Sequence, residues 1–113
     1  MSPPPRFGAL REGGAPPRSG CETFTALAAK GGARVERIVS RGAASPEGQW
    51  YDQDGEEFVL LVEGEAVLGF EDGTEQRLRA GDWAVLPAHC RHRVAWTAPD
   101  RETIWLAVHL PAG

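Results

Sequence analysis

The sequence predicts an all-β fold, and three observations carry that reading. After Gly20, short apolar or alternating runs recur between turn residues about every eight to twelve positions, the rhythm of a β-sandwich or barrel. No stretch there sustains a 3.6-residue apolar period, although Ala26 to Lys30 would allow one turn of helix. The breaks carry residues with turn chemistry, Gly, Pro, Asp and Asn-like polar side chains.

Nine strands follow in order. Glu22–Ala28 ends at Lys30-Gly31-Gly32, and Arg34–Val39 runs toward Ser45-Pro46-Glu47-Gly48. Gln49–Gln53 stops at Asp54-Gly55, and Glu57–Glu63 stops at Gly64. Ala66–Glu71 and Glu75–Leu78 flank Asp72-Gly73, the clearest hairpin signal in the chain. Trp83–Leu86 follows Ala80-Gly81-Asp82. His92–Trp96 and Thr103–Leu110 flank Ala98-Pro99-Asp100.

Composition bounds the function. A chain of 113 residues makes one domain with a modest core. Apolar residues at 42% and charged residues at 25% exclude a wholly disordered chain. A net charge of -4 argues against binding a nucleic-acid backbone. No apolar run approaches the roughly 20 residues of a membrane helix, and Met1 to Arg6 has no signal core, so a cytoplasmic location is expected. Two cysteines, Cys21 and Cys90, make no disulfide framework and no CxxC pair. The first twenty residues hold five Pro and four Gly. They read as a flexible lead, residues 1–20, before a barrel domain at residues 21–113.

Strand rhythm alone leaves a sandwich or a jelly roll. Two motifs favour the second. Glu57 to Gly64 reads Glu-Phe-Val-Leu-Leu-Val-Glu-Gly, and Gly81 to His92 reads Gly-Asp-Trp-Ala-Val-Leu-Pro-Ala-His-Cys-Arg-His. These resemble the two motifs of the cupin superfamily. Glu57 and Gly64 keep the spacing of the first motif; Gly81, Pro87 and His92 keep that of the second. The resemblance covers roughly residues 33 to 110 and implies a jelly-roll β-barrel. It also implies a metal held by two histidines of an H-x-H pair, the Glu and the later His. Here the H-x-H pair falls on Trp50 and Asp52, or on Tyr51 and Gln53, depending on spacing. His89 stands where the second motif has Gly.

Strand alternation extends this to a candidate site. Asp52, Glu57 and His92 would converge on a divalent metal (Zn, Mn or Fe), with His89 as a fourth donor. Trp50 and Trp96 would line a ligand pocket; a one-residue slip would turn Tyr51 and Gln53 inward instead. Trp83 and Trp105 read as core, and His109 as a strand-end residue rather than a ligand. The expected function is a small cupin binding a metal and a small molecule. The alternative is a metal-free ligand-binding or regulatory module. The resemblance permits isomerase, dioxygenase and hydrolase chemistry without choosing among them. A homodimer is expected, since such barrels bury an outer sheet against a twin.

Overall fold

A computed structural model describes residues 3–11 and 16–112 of the chain. Among the described residues there are eight strands: β1 Cys21–Lys30, β2 Ala33–Arg41, β3 Glu57–Glu63, β4 Glu65–Phe70, β5 Glu75–Arg79, β6 Trp83–Leu86, β7 His92–Thr97 and β8 Thr103–His109. All pairings are antiparallel. Five strands form one sheet in the order β1-β2-β8-β3-β6, and three form the other in the order β5-β4-β7. This is the jelly-roll arrangement that the motif spacing implies. Among the described residues no helix is long and apolar enough to cross a membrane.

The period-two pattern of β3 sets the layers. Glu57, Val59 and Leu61 are buried, while Phe58, Leu60 and Val62 are half-buried on the other face. The interior is built from Val59, Leu61, Ala66, Leu68, Leu78, Trp105 and Ala107. Trp105 is core, as expected, but Trp83 is 62% exposed. Its partner in the ladder, Leu60, faces outward, so Trp83 stands outside too and stacks on Phe58 with centroids 6.0 Å apart.

Two sequence expectations change. The segment 49–53 is no strand: its only ladder contact among the described residues is one bridge, in which the Tyr51 and His92 amides and carbonyls exchange bonds of 2.7 and 3.1 Å. It hangs between the turn at Pro46–Gly48 and the bend at Asp54-Gly55, too short a span to pair along its length. The second change is in β7. Leu68 pairs with Val94 but Val67 pairs with Trp96, leaving Ala95 as an extra residue. A bulge of this kind reverses the alternation beyond it.

Residues 1, 2 and 12–15 of the expected flexible lead lie outside the described residues. The neighbouring part of the lead rests on its own barrel. The Arg6 guanidinium donates to the Leu27 carbonyl at 2.8 Å, and Arg37 donates to the Ala9 carbonyl at 3.3 Å.

Candidate functional site

The inward faces become polar where the two sheets open onto a cavity of about 240 Å³. β1 contributes Glu22 and Phe24; β2 contributes Arg34, Glu36 and Ile38. β3 adds Glu57 and Val59, and β8 adds Trp105 and His109. Leu68, Leu86, His92 and Val94 complete the walls, and the loop residues Tyr51 and Gln53 close one side.

At the centre stands Glu57, 6% exposed, facing His92, 5% exposed. His92 Nδ1 donates to the Cys90 carbonyl at 2.8 Å, because a carbonyl can only accept. That fixes Nε2 as the nitrogen directed at Glu57, 3.6 Å from Oε1. On the other side His109 Nδ1 lies 3.7 Å from Glu57 Oε2, and His109 Nε2 lies 3.2 Å from Glu36. Both imidazoles are just beyond hydrogen-bonding distance of Glu57. The Glu57 carboxylate makes no hydrogen bond to a described residue, yet none of its oxygens is sealed off. Its acceptor capacity therefore opens onto the cavity.

Burial raises the Glu57 carboxyl above the ordinary carboxylate range, while His109 and then His92 pull it back. Burial also raises the Tyr51 hydroxyl, helped by the fields of Glu22 and Glu57. A buried carboxyl between two imidazoles can take up or release a proton at a ligand atom placed against it.

The predicted site residues divide into two groups. Glu57 and His92 line the cavity, as do Tyr51 and Gln53. Inward Tyr51 and Gln53 settle the register of their segment, so Trp50 and Asp52 do not line it. The bulge at Ala95 carries Trp96 outside, where the Arg77 guanidinium lies 5.5 Å from its ring centroid. Asp52 and His89 meet each other at the surface, with Oδ1 and Nδ1 2.9 Å apart. Sequence reading missed Glu22, Glu36 and His109. His109 was legible in principle: once Trp105 is inward, residues 107 and 109 follow on the same face.

The expected metal set therefore does not come together. Among the described residues no three His, Cys, Asp or Glu side chains are grouped to hold an ion. A phenol and a carboxamide, Tyr51 and Gln53, occupy the H-x-H positions. Neither supplies the imidazole nitrogen that suits Zn or Fe. The residues at those positions do not supply the two imidazoles that the resemblance implies.

The pair at the surface has another use. His89 has φ +62°, a left-handed conformation uncommon outside glycine, at the position where the second cupin motif has Gly. Its amide donates to the Gln53 carbonyl at 2.7 Å, and its ring holds Asp52. It thus pins the loop carrying Tyr51 and Gln53. The hydrogen bond to Asp52, then the charges of Asp52 and Asp54, raise His89 above the ordinary imidazole value. The stabilisation is present below that ordinary value and fades as pH rises through the raised one. An NMR titration should find His89 titrating high, and Asp52→Asn should return it toward the ordinary value. An unchanged midpoint in the variant would refute this pairing.

Two antiparallel sheets around a cavity walled by both apolar and charged side chains define a jelly-roll barrel with an internal cavity. The comparisons with known proteins agree on the fold. A family model described as Cupin domain matches residues 38–109, and the chain belongs to that family. It is similar to a solved structure from Ralstonia eutropha JMP134, a protein proposed to be a mannose-6-phosphate isomerase. The two share 44% identity over 96% of this chain and 100% of that one, with a TM-score of 0.88. A cupin superfamily protein from Desulfitobacterium hafniense shares 21% identity over 82% and 80% of the two chains, with a TM-score of 0.68. A cupin 2 conserved barrel domain protein from Leptotrichia buccalis shares 22% over 83% and 43%, also at 0.68. No curated protein matches.

Proposed function

We propose that this cupin binds a compact small molecule inside its barrel through Glu57, without needing a divalent metal. One observation carries the reading: a carboxylate more than nine-tenths buried, hydrogen-bonded by no described protein group, open to the cavity with the imidazoles of His92 and His109 just beyond hydrogen-bonding distance. Burying such a group costs free energy unless something pairs with it. A ligand donor is the natural partner, and Tyr51, His92 and His109 surround the place it would take. Sugar-phosphate isomerisation, suggested by the name of the Ralstonia protein, receives less support. The only arginine or lysine lining the cavity among the described residues is Arg34, which lies 3.8 Å from Glu36.

The test is to record amide NMR shifts for Tyr51, Gln53 and Val94 against a set of compounds of cavity size. Each compound is measured with chelator and again with added Zn²⁺, Mn²⁺ or Fe²⁺. Cavity shifts should persist in chelator, and purified protein should carry less than about a tenth of an equivalent of metal. Stoichiometric metal that disappears in His92→Ala would overturn the metal-free reading.

A second copy of the chain is the partner that the outer face fits. Trp83 and Val85 on β6 are exposed beside Phe58 and Leu60 on β3 and Leu106 and Val108 on β8, all in register on that face. Continuous apolar surface of this kind is uncommon on a free monomer. Trp83→Asp should shift the protein toward monomer in light scattering; an unchanged mass would remove this face from the interface.

A further inference from the structure

The charge around the cavity narrows the ligand further, given that a compact ligand sits against Glu57. We infer that the cavity takes a positively charged amine, held between the carboxylates of Glu22 and Glu57 beside the rings of Phe24 and Trp105. Three carboxylates line the cavity, Glu22, Glu36 and Glu57, against one guanidinium, Arg34. Arg34 Nε is turned to Glu36, 3.8 Å away, so neither Glu22 nor Glu57 has a guanidinium or ammonium partner among the described residues of the cavity; Glu57 has only the imidazoles of His92 and His109, 3.6 and 3.7 Å away.

Glu22 is built in rather than incidental. The Trp105 indole N–H donates to Ser40 Oγ at 3.2 Å, and the Ser40 hydroxyl donates to Glu22 Oε2 at 2.6 Å. Ser40 is fully buried, so this chain fixes one carboxylate oxygen against the wall. The cavity's volume of about 240 Å³ equals that of about eight water molecules at ~30 Å³ each, enough for a small aromatic or alicyclic amine. An ammonium group supplies up to three donors and attracts both acidic side chains and aromatic faces. A carboxylate or phosphate of the same size would supply acceptors where the site already has an excess of them, and would meet like charge.

The experiment uses full-length protein and four matched probes: benzylamine, benzyl alcohol, benzoate and phenyl phosphate. Dissociation constants are read from the Tyr51, Gln53 and Val94 amide shifts. Benzylamine should bind at least about tenfold more tightly than benzyl alcohol, and the two anions more weakly still. In Glu22→Gln the amine-over-alcohol ratio should fall to about twofold. Benzoate or phenyl phosphate binding as tightly as benzylamine would overturn the charge inference while leaving a ligand-binding cavity in place. So would an amine preference that survives Glu22→Gln. If none of the four moves the cavity amides at millimolar concentration, the ligand-binding reading falls as well, and the charge inference with it.

Discussion

Gly64→Ala should lower the melting temperature by roughly 10 to 20 °C. Gly64 is the single residue between β3 and β4, where the chain leaves the five-stranded sheet for the three-stranded one. Its φ is +92°, and a Cβ built there would lie 2.6 Å from Thr103 Cα and 2.7 Å from the Glu102 carbonyl oxygen, besides striking the Thr103 hydroxyl. Those atoms are backbone and a fully buried side chain that bonds back to Glu65, so they cannot swing away. The left-handed conformation costs about 1–2 kcal/mol for alanine. The overlap adds about 1–3 kcal/mol. A sum near 3 kcal/mol is a large part of the stability of a small domain, and each kcal/mol moves its melting point by about 4–8 °C. Gly73→Ala is the control. Its φ is +91°, yet nothing lies within 4 Å of the added carbon. It should lose only the conformational part, about 1–2 kcal/mol. Equal losses in thermal unfolding would show that close approach is not what requires glycine at residue 64.

Gly64 also shows which parts of the fold can be read from sequence. Its role depends on a turn and a tight corner, both of which leave a residue-type signature. The run of β3 from Glu57 to Leu61, which alternates before the irregularity between Leu61 and Glu63, was legible too, and so was the inward Glu57. Trp96 was not. The extra residue at Ala95 has no distinctive side chain, so alternation extended from His92 points Trp96 inward when the bulge has turned it out. The segment around Tyr51 was ambiguous because it lacks a ladder partner on most of its length, and a lone bridge fixes its register only in three dimensions. Glu36 and His109 lie far apart in sequence and meet through the β2–β8 and β3–β8 pairings. Their relation to Glu57 is a consequence of topology, which no local pattern encodes.

Glu57→Gln should separate binding from stability in opposite directions. The substitution keeps the size of the side chain and removes its charge. Hydrogen bonds to an ionised group contribute about 1.5–3 kcal/mol, so the affinity of the strongest-binding cavity compound should drop roughly tenfold to a hundredfold. Stability should respond otherwise. Burial raises the carboxyl of Glu57 above its ordinary value, which means the folded state prefers the protonated form. The preference is fully felt below the ordinary carboxylate value and is lost as pH climbs through the raised one, because the unfolded chain ionises more easily. Glutamine cannot ionise, so the variant should equal the parent near pH 4 and match or exceed its melting temperature at pH 7. The imidazoles work against this trend, since His109 and His92 stabilise the charged carboxylate. The gain at pH 7 should therefore be a few degrees at most. Thermal unfolding across pH 4 to 8, paired with the amide-shift titration, reads both effects from the same two proteins. A variant that is less stable at pH 7 than at pH 4 relative to the parent would show that Glu57 is held as a structural ion pair with its two histidines. An affinity within threefold of the parent would show that the cavity does not use Glu57 to hold its ligand.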